Sequence, residues 1–70
     1  MNPREIQELI NDICQDWLQE DEFIEVACPD SLELLFLIQA IEDKYEVTLP
    51  SNGTLTPKQI STIISHQRAS

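Results

Sequence analysis

Basic side chains are scarce in this chain. Four Lys and Arg stand against thirteen Asp and Glu, which gives a formal net charge of −9 at pH 7. A protein this acidic repels nucleic acids and anionic lipid surfaces, because both carry negative charge. The charge balance therefore excludes the usual nucleic-acid and membrane-surface functions, and it favours partner proteins that present basic patches.

Long apolar runs and cysteines are also scarce. No stretch approaches the roughly 18 apolar residues of a membrane-spanning helix, and no signal-peptide pattern precedes the first helical pattern. Two cysteines, Cys14 and Cys28, are too few for a disulfide framework. We therefore expect a cytoplasmic protein with reduced thiols. Cys14 is expected in the core and Cys28 is a candidate for exposure, and a Cys14–Cys28 disulfide is the alternative that we do not favour.

The helix signals predict a small all-α bundle of three or four helices, formed by a single domain over residues 1–70. The first helix is capped by Asn2, begins at Pro3 and runs to about Leu18, with Trp17 buried near its end. We expect Phe23, Ile24 and Val26 to anchor the following loop, Gln19–Pro29, to the core. Turn-like residues fill Ser51–Leu55, and Thr56-Pro57-Lys58-Gln59 begins the last helix.

The stretch Asp30–Pro50 contains the central helix, which is capped by Asp30 with Glu33 three residues later. Its core stripe consists of Leu34, Leu37, Ile38, Ile41 and Tyr45 at helical spacing. A second stripe, which includes apolar groups, points away from the core. It consists of Leu32, Phe36, Gln39, Ala40 and Asp43.

The residues Asp30-Ser31-Leu32-Glu33, an ungapped helix to Tyr45 and then Val47-Thr48-Leu49-Pro50 resemble the second helix of acyl carrier proteins. The resemblance implies that Ser31 carries covalent 4′-phosphopantetheine, with Asp30 and Leu32 flanking the attachment site. It also makes the helix an acidic docking face, with Asp30 among the contacts to basic partner residues. The predicted partner-binding residues are Glu33, Phe36, Gln39, Ala40 and Asp43. A bland interpretation stands beside it, since Asp and Ser commonly begin helices and acidic residues commonly face solvent.

The resemblance implies a discrete carrier and not an enzyme. Its expected partners are a phosphopantetheinyl transferase and acyl-transferring or acyl-modifying enzymes with basic docking patches, and the carrier itself is expected to be a monomer. Members of the family typically have a glycine two residues before the aspartate, where this chain has Cys28-Pro29, and an acidic residue where it has Phe36. These departures suggest a specialised biosynthetic pathway. The alternatives are a peptidyl or aminoacyl carrier and an unmodified helical adaptor. The sequence offers no catalytic triad and no metal-ligand cluster, and His66 is expected on the surface.

Overall fold

Four helices form the regular structure of residues 1–68, the part of the chain that this computed structural model describes. They are α1 (Pro3–Cys14), α2 (Ile24–Ala27), α3 (Ser31–Tyr45) and α4 (Pro57–Arg68), and these residues contain no strand. The predicted small all-α bundle is confirmed. Helix α1 packs mainly against α4 and less extensively against α3, so the core lies between these three helices.

The helices begin where the capping patterns predict. Asn2 Oδ1 accepts a hydrogen bond from the Arg4 N–H at 2.9 Å. At the start of α4, the Gln59 N–H donates to Thr56 Oγ1 at 3.1 Å, and the Thr56 N–H donates to Gln59 Oε1 at 3.0 Å. This reciprocal pair satisfies two backbone donors that a helix start leaves unpaired. Local sequence therefore determines where these two helices begin.

The predicted end of α1 is wrong. The helix ends at Cys14 and not near Leu18, because Gln15 adopts a left-handed conformation with φ of 56° and its N–H donates to Asn11 O at 2.8 Å. Trp17 is consequently 43% exposed, so its predicted burial is also wrong. The guanidinium carbon of Arg4 lies 5.9 Å from the centroid of the Trp17 ring. The aromatic ring therefore lies over the surface of α1 and not in the core.

Leu18 takes the core position that the helical pattern gave to Trp17. Leu18 is 1% exposed, and its carbonyl oxygen accepts a hydrogen bond from Gln7 Nε2 at 2.9 Å inside the protein. Burying a carbonyl group is costly unless it is hydrogen-bonded, and Gln7 supplies that bond. Because α1 ends at Cys14, the Leu18 side chain can enter the core while its carbonyl group is hydrogen-bonded to Gln7.

Helix α2 lies within the segment that the sequence predicted as a loop. Of the three expected anchors, Ile24 is fully buried, whereas Phe23 and Val26 are exposed. The Ile24 N–H donates to Leu55 O at 2.8 Å, which ties α2 to the chain before α4. The prediction is therefore wrong for Phe23 and Val26, because a single helical turn on the surface buries only one of its faces.

Gly53 lets the connection between α3 and α4 pack closely against both α2 and α3. A Cβ atom at this position would lie 2.8 Å from Glu25 Oε2 and 3.0 Å from Leu34 Cδ2, closer than normal contact. The Gly53 carbonyl oxygen accepts a hydrogen bond from the Glu25 N–H at 3.1 Å. The chain between α3 and α4 contains turns and no helix, as the Ser51–Leu55 pattern predicted.

The stripe predicted for α3 is confirmed as a core face. Leu37, Ile38, Ile41 and Tyr45 are buried, and Leu34 is half-buried against them. The rest of the buried apolar cluster comes from the other helices and from the connecting segments. It consists of Ile6, Ile10, Leu18, Ile24, Cys28, Val47, Leu49, Leu55, Ile60 and Ile64.

Candidate functional site

Ser31 is the first residue of α3. Asp30 Oδ1 accepts a hydrogen bond from the Leu32 N–H at 2.8 Å, and the Asp30 carbonyl oxygen accepts from the Leu34 N–H at 2.9 Å. Asp30 is therefore the N-cap, as predicted. The Glu33 side chain forms no reciprocal bond with Asp30 within residues 1–68, so the cap relies on Asp30 alone.

The Ser31 side chain is exposed, and its hydroxyl group forms no hydrogen bond with any residue that the structure describes. Within residues 1–68, no carboxylate or imidazole accepts a hydrogen bond from this hydroxyl group. A serine in this position is a poor nucleophile by itself. The hydroxyl is exposed to solvent, and the N-terminus of α3 would favour negative charge on a group attached there.

The predicted partner-binding residues lie on the outer side of α3. Leu32 is 75% exposed and Phe36 is 66% exposed, and we call these two residues with Gln39 and Asp43 the outer face. Gln39 Nε2 donates a hydrogen bond to Asp43 Oδ1 at 2.9 Å, which holds the polar half of this face in place. Exposure of Phe36 was predicted and is confirmed.

Two further predicted residues flank the outer face. Glu33 is exposed and lies beside the outer face on the side of α1. Ala40 is half-buried, so it offers a partner less surface than expected. Leu35, which is 49% exposed and flanks the outer face on the side away from Glu33, was not predicted from the sequence. The available signal was that Leu35 is next to Phe36 in the sequence and does not belong to the predicted core stripe of α3. Leu32, Leu35 and Phe36 give the N-terminal half of α3 an apolar exterior that the core does not use.

A groove of about 500 Å³ separates the end of α1 from the start of α3. Its wall on the α3 side includes residues of the outer face, and its wall on the α1 side was not predicted from the sequence. The lining residues are Ile13, Cys14, Gln15, Leu32, Glu33 and Phe36. Ser31 does not line the groove, so the candidate attachment point and the groove are neighbouring but separate features.

Cys14 and Cys28 form a disulfide, and their Cα atoms are 6.4 Å apart. This overturns the expectation of reduced thiols. Cys28 is fully buried, so its expected exposure is also wrong, and Cys14 is half-buried rather than a full core residue. The reason is tertiary, because burial of Leu18 and Ile24 folds the intervening segment back onto α1. The linkage leaves no free cysteine in the chain.

Within residues 1–68, no group of three or more His, Cys, Asp or Glu side chains is placed to hold a metal ion. His66 is exposed near the end of α4. Among the described helices, none is both long enough and apolar enough to cross a membrane.

Tyr45 has a pKa that its surroundings raise. Burial raises the pKa of Tyr45 above its ordinary value of 10.0, and the negative charges of Glu5 and Glu8 raise it further, whereas Arg68 lowers it. Tyr45 lies at the opposite end of α3 from Ser31. Its shifted pKa therefore belongs to the packing of α3 and not to the candidate site.

Comparisons with known proteins give no further guide to the site, since no protein-family model, no curated protein and no solved structure matches this chain.

Proposed function

We propose that this protein is a discrete acyl carrier that is modified on Ser31 with 4′-phosphopantetheine. The observation that carries the proposal is the exposed, unengaged Ser31 hydroxyl at the first position of a capped helix. When attached, the group would supply a terminal thiol that holds an acyl chain as a thioester. The chain's own residues would then present this arm, be recognised by partners and catalyse nothing.

The first requirement of a carrier is an attachment point that a transferase can reach. Ser31 satisfies it, because no side chain within the described residues covers or bonds its hydroxyl group. Asp30 fixes the N-terminus of α3 through the bond to the Leu32 N–H. The phosphodiester would lie where the dipole and the free N–H groups of α3 stabilise negative charge. The residues present therefore fit the group.

The second requirement is a surface that partner enzymes recognise. The outer face of α3 combines an exposed aromatic ring, Phe36, with the acidic side chain of Asp43. An apolar anchor supplies affinity, and acidic residues raise the rate of encounter with a basic patch. The net charge of −9 extends that attraction over the whole molecule. The proposed partners are a phosphopantetheinyl transferase and acyl-transferring enzymes with basic docking surfaces.

The test is covalent modification. The protein is incubated with coenzyme A, Mg²⁺ and a promiscuous phosphopantetheinyl transferase, and intact-protein mass spectrometry should detect one added phosphopantetheinyl group. Ser31→Ala should abolish the addition, whereas Ser51→Ala, at an exposed turn serine, should not. Circular dichroism of both variants checks that each remains folded. Addition at another serine, or no addition with several transferases, would contradict the proposal.

A second candidate function is that of an unmodified helical adaptor. The exposed apolar side chains of Leu32, Leu35 and Phe36 favour it, because they form a surface on α3 that needs no covalent group to bind a partner. The two candidates differ in one measurable respect. An adaptor binds its partner equally well with Ser31→Ala, whereas a carrier loses its function.

A further inference from the structure

The disulfide joins two regions that differ in accessibility. Cys14 is the last residue of α1 and is half-buried in the wall of the groove, whereas Cys28 is fully buried. The groove therefore offers a solvent thiolate a route to Cys14, whereas Cys28, which is fully buried, is shielded. Thiol–disulfide exchange depends on which sulfur is accessible to attack. The two cysteines of the pair therefore differ in their access to solvent.

The segment closed by the disulfide is also held by contacts that do not involve sulfur. Leu18 and Ile24 are buried at its two ends, and Gln7 Nε2 bonds the Leu18 carbonyl oxygen. The Lys58 N–H donates to Glu20 O at 3.0 Å, which ties the middle of the segment to α4. These contacts would remain when the sulfurs separate. The fold therefore does not depend on the disulfide alone.

The regions next to the two cysteines have fewer such supports. Gln15 holds a left-handed conformation that is uncommon for residues other than glycine, and its N–H bonds Asn11 O. On the other side, the Cys28 N–H donates to Ile24 O at 3.1 Å and closes the single turn of α2. Both hydrogen bonds lie at helix ends next to the disulfide. We therefore expect these two hydrogen bonds to open first when the disulfide is reduced.

We propose that the Cys14–Cys28 disulfide is a reversible redox latch, which a dithiol reductant opens from the groove by attack on Cys14. This inference goes beyond the carrier proposal and does not require Ser31 to be modified. In the closed state, the latch fixes Cys14 and Gln15 as the α1 wall of the groove. In the open state, that wall and the end of α2 become mobile while the core persists.

The reaction balances as two exchanges. A thiolate of the reductant attacks Cys14 Sγ, the Cys14–Cys28 bond breaks, and Cys28 Sγ leaves with the electron pair and takes a proton. The second thiol of the reductant then attacks the reductant sulfur of the mixed disulfide. This breaks the bond to Cys14 Sγ, which leaves with the electron pair and takes a proton. The dithiol is oxidised to a disulfide, and the two cysteines gain two electrons and two protons.

The site of attack is tested by trapping the mixed disulfide. The oxidised protein is treated with glutathione, the free thiols are blocked with iodoacetamide, and the digested protein is mapped by mass spectrometry. Glutathione should be found predominantly on Cys14 and the carbamidomethyl group on Cys28. Predominant glutathione on Cys28, or an equal distribution, would overturn attack from the groove.

The latch itself is tested by amide hydrogen exchange in the oxidised and dithiothreitol-reduced full chain. Reduction should accelerate exchange at the Gln15 and Cys28 amides and leave Leu37 and Ile41 protected, and reoxidation should restore the first state. The double variant Cys14→Ser, Cys28→Ser should resemble the reduced protein with or without dithiothreitol. Unchanged exchange at Gln15 and Cys28 would overturn the proposal. Loss of protection throughout α3 would also overturn it, because the disulfide would then hold the whole fold.

Discussion

Phe36 and Ile41 belong to the same helix and have opposite surroundings. Phe36 is 66% exposed on the outer face, whereas Ile41 is fully buried against the other helices. An exposed side chain contributes little to the free energy of unfolding even when it is large, because unfolding exposes it little further. We therefore expect Phe36 to contribute little to the stability of the fold.

Substitution separates these two residues. Phe36→Ala should change the free energy of unfolding by about 0.5 kcal/mol or less, whereas Ile41→Ala should lower it by about 2–5 kcal/mol through lost burial and a cavity. Urea denaturation of both variants measures the difference. Binding to a phosphopantetheinyl transferase should weaken for Phe36→Ala, because a buried aromatic anchor can carry about 2 kcal/mol or more. A Phe36→Ala protein that unfolds early would show that the ring supports the fold.

Tyr45 couples the protein's stability to alkaline pH. Burial and the charges of Glu5 and Glu8 raise its pKa above 10.0, against the lowering effect of Arg68. The folded state therefore holds the phenol proton more tightly than the unfolded state does. The resulting stability is fully present below pH 10.0 and is lost as the pH rises through the folded-state pKa.

The single tyrosine makes this directly measurable. Absorbance titration of the phenolate in the folded protein should give a midpoint above 10.0, and the same titration in denaturant should give the ordinary value. Tyr45→Phe should reduce the alkaline loss of stability, because phenylalanine has no proton to lose. The substitution removes no hydrogen bond, since the Tyr45 hydroxyl forms none with residues 1–68. A folded-state midpoint at or below that of the denatured chain would contradict the assignment.

At the scale of the element, α4 has the most complete start of the four helices. Thr56 and Gln59 each accept the other's backbone N–H, and Pro57 occupies the first helical position. Helix α3 relies on Asp30 alone, since Glu33 forms no matching bond in the described chain. The comparison indicates that α4 draws more of its stability from its own sequence, and α3 draws more from packing.

Removing the side-chain cap of α4 should show this. Thr56→Ala should lower the free energy of unfolding by about 1 kcal/mol, because the Gln59 N–H loses its acceptor. Thr56→Ser keeps a hydroxyl group at the same position and should retain most of the stability. Chemical denaturation measures both variants. Equal losses for Ala and Ser would show that the methyl group of this buried threonine matters more than its cap.

At the scale of the whole molecule, charge is the dominant feature. Thirteen acidic side chains lie on a molecule of 33 × 20 × 19 Å. The screening length is about 30 Å at 0.01 M salt and about 3 Å at 1 M salt. At low salt the acidic groups therefore repel one another across the molecule, and this repulsion destabilises the compact state.

Added NaCl should consequently stabilise the protein. The melting temperature at pH 7 should rise between about 0.01 M and 1 M NaCl as the repulsion is screened. Near pH 4.1, where the net charge approaches zero, the same salt series should have a much smaller effect. Calorimetry at both pH values measures the contrast. A melting temperature at pH 7 that falls with salt would show that attractive surface pairs outweigh the repulsion.

The amino-acid sequence by itself determined the features that depend on neighbouring residues. Asn2, Asp30 and Thr56 mark three helix starts, because a cap needs only a side chain within a few residues of free N–H groups. The core stripe of α3 and the exposure of Phe36 follow from helical periodicity. Ser31 at the start of α3 was predicted on the same local grounds, and its modification stays a prediction.

Tertiary structure alone decided the features that depend on distant residues. Helix α1 ends at Cys14 because Leu18 is buried and its carbonyl is paired with Gln7, and no glycine or proline marks that end. The disulfide and the groove wall follow from the same reversal of the chain, which brings Cys14 to Cys28. A periodic pattern records which residues are apolar, but only packing selects which of them fill the core.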